Sequence, residues 1–389
     1  MDGMKKLNEH LRQRPAELRA LKKEGKKVIA ITANGFMPVE LISAAGAVPI
    51  ILGKGGDAET VNEAIAYTPL FLDTYSRSQI AHWTLGHDPY YKMPDLFIVT
   101  ITDANSKVIA DSFNYYAGFN VYRLGVPHDK RDVDKRYFTY GLMGAKKAIE
   151  ECTGNKIDDA VLKEKVELHN EIRSYLRKIC FLRKGADPVF TSEFFSQIMH
   201  AGFYADEYVY LDCLKEIYEE LAAKRAQMPE GVFTKPRLMV VAATLAHGDT
   251  HLDDIVKNTN AEIVYENPAE GYLPYLYDAD TSGDIYEGLI EAYFLKPILQ
   301  PWDHPWGDRF ERLLAEAREF DAQAIIWYQT LYRDGYDLQS WTYKKKFNAA
   351  GLPFIKIETN YAAAERGVIK TRIETAIELI ESGQIDEEA

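Results

Sequence analysis

Cysteine is scarce in this chain. Its 389 residues include three, Cys152, Cys180 and Cys213. They are too few and too widely spaced for a disulfide framework or a zinc site. All three fall in segments patterned as helices, so buried free thiols are expected and a cysteine nucleophile is not. Long hydrophobic runs are also lacking: no apolar stretch approaches ~18 residues, so no membrane span is expected. The opening MDGMKKLNEHLRQRPAELRALKKEGKK is charged and helix-prone without an apolar core, unlike a secretory signal, and a soluble, cytoplasmic protein is the expectation. Positive charge is short as well. Lys and Arg number 46 against 59 Asp and Glu, a net charge of -13, which argues against nucleic acid as a partner and favours small molecules or proteins. Phosphate-binding glycine loops are missing: GKGG at 53–56 follows an apolar run but lacks the GxGxxG and Walker spacings, so no nucleotide site is expected.

What is present is an alternation of short apolar runs and helical patterns. The runs KKVIAITA, AVPIIL, LFIVTIT and NVYRLGVP are separated by MPVELISAAG, closed by Gly46, and SKVIADSFNYYAG, closed by Gly118. Strands alternating with helices indicate a parallel sheet. From about Asp132 to Met228 the pattern becomes long, charged and helical, until MPEGVFTKP supplies a Pro- and Gly-bearing linker. The alternation then resumes with RLMVVAATL, AEIVYEN, AQAIIWY and PFIKIET. Between these lie HLDDIVKNT, a long stretch through DIYEGLIEAYFLKPIL and DRFERLLAEAREF, and SWTYKKKFNAAG; RGVIKTRIETAIELIES closes the chain. The expected fold class is α/β: two similar open parallel-sheet domains of Rossmann or flavodoxin-like plan and one helical domain. The expected boundaries are an N-terminal helical segment over 1–24, a first α/β domain over 25–131, the helical domain over 132–230 and the second α/β domain over 231–389.

Ligands of open parallel sheets bind beyond the carboxyl ends of the strands. The segments to inspect are therefore ANGF (33–36), TDANS (102–106), AHGDTH (246–251), YQTLYRDGYD (328–337) and TNYAAAERG (359–367). In AHGDTHLDD, His247 and His251 stand four apart beside Asp249. That spacing suits a metal on a helix, but Gly248 and Asp249 point to a turn and cap, so helix capping or substrate hydrogen bonding is favoured and no metal is assigned. In LFLDTYSRSQ, Asp73 reads as the N-cap of the following helix. The tryptophans of QPWDHPW (300–306) read as a plug between domains. No catalytic residue is assigned.

FMPVELISAAGAVPIIL, MPDLFIVTITDANSKVIADSFNYYAGFNVYRLGVP, AQAIIWYQTLYRDGYDLQS, AAGLPFIKIETNY and RIETAIELI occur in an order and spacing that resemble the 2-hydroxyacyl-CoA dehydratase and ATP-dependent (class I) benzoyl-CoA reductase subunit family. The resemblance covers about 25 to 380 and leans toward the aromatic-CoA reductase branch through the PDL strand and TDANSKV loop. It implies two α/β domains with a helical one, paired subunits, and a [4Fe-4S] cluster held by cysteines on three loops. Set against that pattern, the cysteine positions here are Asp73, Asn105 and Arg333, and neither α/β half holds any cysteine. A cluster needs thiolates, so the expectation is no cofactor in this chain and the [4Fe-4S] cluster in a paralogous partner subunit. That partner would act on an acyl-CoA, with an ATP-dependent iron-sulfur activator supplying the electron that expels a hydroxyl or reduces a ring. Asn34, Phe36, Met37, Tyr75, Arg77, Asp103, His247, Asp249, His251, Asp334 and Tyr336 would then shape a pocket or partner interface. The alternative is a stand-alone small-molecule binding or assembly protein that has repurposed the cluster cavity. An Asp73–Arg333 ion pair filling the space fits either.

Overall fold

The computed structural model describes residues 1–304 and 306–384. Pro305, the side chain of Trp306 and the last residues of the 231–389 segment lie outside the described residues. Eight strands are present among the described residues: Val28–Thr32 (β1), Val48–Leu52 (β2), Leu96–Ile101 (β3), Val121–Gly125 (β4), Arg237–Thr244 (β5), Glu262–Glu270 (β6), Ala324–Thr330 (β7) and Phe354–Thr359 (β8). The helices of the first half are Asp2–Lys23 (α1), Glu40–Ala44 (α2), Ala58–Glu63 (α3), Thr74–Leu85 (α4) and Ala104–Tyr115 (α5). A run of four follows: Asp132–Thr153 (α6), Asp159–Phe181 (α7), Ser192–Ala201 (α8) and Glu207–Arg225 (α9). The second half adds His251–Val256 (α10), Ile285–Ile290 (α11), Trp306–Glu319 (α12), Asp334–Ala349 (α13) and Arg366–Ser382 (α14).

The strands form two four-stranded sheets, ordered β2-β1-β3-β4 and β6-β5-β7-β8, with every pairing parallel. Both sheets thus share one plan. The chain leaves the inner strand toward one edge and returns on the other side, which opens a crevice at the carboxyl ends of β1 and β3 in one lobe and of β5 and β7 in the other. The strands are apolar because both faces are covered. In β5, Met239, Val241 and Ala243 pack under α7, α8 and α9, while Leu238, Val240 and Ala242 pack with α10 and α14. This is the two-residue alternation of an extended chain. Helix α1 lies on α9, where a Cβ on Gly3 would come within 2.9 Å of the Cys213 carbonyl oxygen.

Two readings of the sequence need correction. β6, read as ending at Asn267, continues through Pro268 to Glu270; it is an edge strand, where a missing N–H costs little. The helical stretch over DIYEGLIEAYFLKPIL and DRFERLLAEAREF is broken: α11 ends in one π-helical turn, Glu291–Leu295, and helix resumes only at α12. Pro297 and Pro301 lie in the gap and cannot continue an i to i−4 ladder.

GKGG joins the lobes. The His247 amide donates to the Gly53 carbonyl at 2.9 Å and the Gly55 amide to the His247 carbonyl at 3.0 Å, a lone parallel bridge between the two halves. Gly56 has φ +89°, and a Cβ there would sit 2.3 Å from the Gly248 carbonyl oxygen. These glycines allow two backbones to touch.

Candidate functional site

The two crevices face each other, and the residues at their strand ends meet. Asp73 caps α4, its Oδ1 accepting from the Ser76 amide at 3.1 Å, as its sequence context predicts. Asp103 caps α5 in a reciprocal box with Ser106, the amide-to-Oδ1 bond being 2.8 Å. Asn105, in the first turn of α5, accepts from the Asp73 amide at 3.4 Å. Arg333, just beyond β7 at the start of α13, crosses from the second lobe into this group. Its Nη2 lies 2.9 Å from Glu270 Oε2, and its Nη1 lies 3.4 Å from Asp103 Oδ2 and 3.8 Å from Asp73 Oδ2. The three positions singled out by the resemblance are therefore adjacent in space.

The cluster is buried, with side-chain exposure of 2% for Arg333 and 0% for Asp73. Three carboxylates surround one guanidinium. Burial pushes the Asp73 and Glu270 carboxyls above their ordinary range, opposed by Arg333. Burial likewise works against the charge of Arg333, but Glu270, Asp73 and Asp103 outweigh it and hold the guanidinium protonated well above its usual value. The Glu270 contact is close without being an aligned hydrogen bond. Arg333 Nε and Nη2, Asp73 Oδ2 and Ser76 Oγ find no hydrogen-bond partner among the described residues. The adjoining cavity, bounded by Asn34, Tyr75, Gln79 and Ser106, measures about 10 Å³, room for a single water.

Immediately before Arg333, Tyr332 adopts the left-handed conformation at φ 69°, which costs a bulky residue about 1–3 kcal/mol. Its ring meets Phe71 edge-on at 5.6 Å. The loops that carry Asp73 and Arg333 are thus in contact outside the cluster as well as inside it.

The other candidates divide into groups. Asn34 bonds Thr100 across β1 and β3, and its Nδ2 reaches the Thr100 carbonyl at 3.4 Å. Burial raises the Tyr75 phenol well above its usual range. The Tyr336 ring lies 5.5 Å from the Arg333 guanidinium, and its hydroxyl donates to Gln300 at 3.1 Å. Phe36, Met37, Tyr75, Arg77 and Tyr336 are all buried, so as the chain stands they offer no surface to a partner; Asp334 is exposed. His247 and His251 take separate partners. His247 lies in the lobe junction with its ring 5.2 Å from that of His200, and burial pushes it down to about 4. His251 Nδ1 lies 3.2 Å from Asp249 Oδ1, which raises its pKa, and Asp249 Oδ2 accepts from Tyr328 at 2.8 Å. Trp302 packs between His128, at 5.6 Å, and Tyr336, at 6.3 Å, bridging the two halves as the plug reading expects. Cys180 and Cys213 are buried and Cys152 is half-buried.

A family model described as 2-hydroxyglutaryl-CoA dehydratase, D-component, matches residues 34–380. The chain belongs to this family. Among its relatives is the (R)-phenyllactyl-CoA dehydratase beta subunit of Clostridium sporogenes, 21% identical over 352 residues, covering 89% of this chain and 90% of the relative. The beta subunit of (R)-2-hydroxyglutaryl-CoA dehydratase from Acidaminococcus fermentans is 21% identical over 367 residues, 92% and 93% of the two chains. A benzoyl-CoA reductase subunit of Thauera aromatica is 23% identical over 305 residues, 77% of each. In this chain no described helix is long and apolar enough to cross a membrane.

Glu270, the nearest partner of Arg333, is not among the residues the sequence pointed to. With β6 expected to end at Asn267, the carboxyl end of that strand fell outside the candidate segments. The signal that could have found it is Glu270 followed by Gly271, whose φ of +99° and amide bond to the Ala33 carbonyl at 2.7 Å tie the β6 end to the β1 end.

Proposed function

We propose that this chain is the cluster-less subunit of a heteromeric enzyme of the 2-hydroxyacyl-CoA dehydratase and benzoyl-CoA reductase type, supporting a paralogous subunit that carries the [4Fe-4S] cluster. The observation that carries this reading is Arg333. At the three positions where the resemblance implies thiolates, the chain presents a guanidinium 3.8 Å from a carboxylate, and a carboxamide that accepts from the Asp73 backbone amide at 3.4 Å. An iron-sulfur cluster takes thiolate ligands, and a cationic guanidinium repels iron, so this donor set does not fit the group. No redox step runs through this chain. The acyl-CoA is the substrate of the complex, its pocket completed by this chain beside the cluster-bearing subunit, and the ATP-dependent iron-sulfur activator serves the complex.

The surface around the cluster supports a partner-facing role. The loop leading to Asp73 exposes Leu70 and Phe71, the latter 73% accessible, and the first turns of α13 beyond Arg333 expose Leu338 and Trp341. Large apolar side chains gathered around one site mark a contact surface. Co-expression of this chain, tagged, with a cluster-bearing paralogue tests the assignment. A brown heteromeric complex is the expected product; a colourless, stable homo-oligomer that ignores the paralogue contradicts it.

A further inference from the structure

We propose that the cavity between β2, α7 and α9 binds a small amphipathic organic anion, a carboxylate on an apolar body of roughly ten heavy atoms. The cavity is about 360 Å³, within the range of small-molecule sites. It lies where three bodies meet: the β2 edge with α2, the helices α1, α7 and α9, and the Tyr272–Pro274 segment of the second lobe. Its walls are largely apolar, with Ile31, Ile51, Ile172, Leu176, Phe203 and Leu273 in the lining.

The polar inventory selects the sign of the ligand. Four cations line the cavity, Arg14, Lys26, Lys165 and Arg173, against three lining carboxylates, Glu17, Asp206 and Glu207, with Glu40 behind the lining 3.0 Å from Arg173, in a chain whose net charge is -13. The carboxylates are engaged. Glu207 accepts from Lys165, from Ser43 at 2.9 Å and from His169 at 3.2 Å. Burial opposes the charge of Glu207, but the bonds from His169 and Lys165 outweigh it and hold the carboxyl down to about 2. Asp206 caps α9 through the Tyr208 and Val209 amides, and Glu17 is paired with Arg14 at 2.7 Å.

Donors remain. Arg173 spends Nη1 on Glu40 and Tyr293 and Nη2 on Asn170, and its Nε, which makes no hydrogen bond among the described residues, faces Asp278 Oδ1 at 3.9 Å. Lys165 has three N–H groups and two partners, Glu207 and Tyr208. A lining with an unfilled N–H on Lys165 and occupied acceptors is completed by a ligand that brings an acceptor. Cation-rich polar points on an apolar body are the complement of an organic carboxylate, not of an alcohol or an amine.

The site stands apart from the partner assignment, because it is read on the isolated full chain. Titration calorimetry with octanoate, and with 1-octanol as the uncharged control, tests it. Octanoate is expected to bind at one site per chain and 1-octanol at least tenfold more weakly. Lys165→Met should weaken octanoate by about tenfold, the size of one charge-assisted hydrogen bond, and Ala205→Trp, which fills the cavity from its wall, should abolish binding. Equal binding of octanoate and 1-octanol, or no saturable octanoate binding to the wild-type chain, overturns the proposal.

Discussion

Arg333 is the residue on which the site depends. Its guanidinium is buried among three carboxylates from both lobes, so Arg333→Met leaves like charges facing one another in a low-dielectric space. A loss of about 3–5 kcal/mol in unfolding free energy is expected, the usual cost of removing one partner of a buried ion cluster, readable by urea denaturation. The pH dependence has a definite sign. Asp73 and Glu270 have native pKa values raised above their ordinary 3.8 and 4.5, so the native state holds more protons than the unfolded chain in the window above those values. Their contribution is fully favourable below about pH 4 and is lost as pH rises through the raised native values. Without Arg333 both groups rise further. The penalty of Arg333→Met should therefore be smaller at pH 5 than at pH 8, and equal penalties would refute the cluster's electrostatic role.

At the scale of elements, the lobes are tied by backbone contacts that tolerate no added atom. In Gly56→Ala a methyl would sit 2.3 Å from the Gly248 carbonyl oxygen at a positive φ, so a cost of roughly 2–3 kcal/mol is expected. It should appear as a lower thermal midpoint, with far-UV circular dichroism at low temperature unchanged. The elements themselves were legible in the sequence, since buried parallel strands are short apolar runs and the helices between them carry caps such as Asp73 and Asp103 and stops such as Gly46 and Gly118. The two failures have one cause, the dependence of proline on its context. Pro268 is harmless on an edge strand, so β6 outran its predicted end and hid Glu270. Pro297 and Pro301 break a helix that periodicity alone carried onward. The approach of Asp73, Asn105 and Arg333, far apart in sequence, became readable only through the family pattern, because no local rule brings 73, 105 and 333 together. The cavity lined by Lys165, His169 and Glu207 was not legible at all. Those residues belong to a stretch that reads only as long, charged and helical, and only the packing of α7 against α9 and α2 turns them inward.

At the scale of the molecule, two alike lobes meet over a closed polar cluster, and the loops around it expose apolar side chains. If that surface meets the partner, Phe71→Asp combined with Trp341→Asp should reduce recovery of the paralogue in an affinity pull-down by at least about tenfold, because a few buried aromatic anchors carry most of an interface's energy. The chain's own thermal midpoint should stay within about 2 °C, since both residues are exposed. Undiminished recovery would place the interface elsewhere. The most direct measurement is iron and acid-labile sulfide per chain, made on anaerobically purified protein, first alone and then with its co-expressed paralogue. The cluster-less assignment predicts essentially no iron in the isolated chain and iron in the complex that stays with the paralogue when the two chains are separated. Stoichiometric iron in the isolated chain would contradict it.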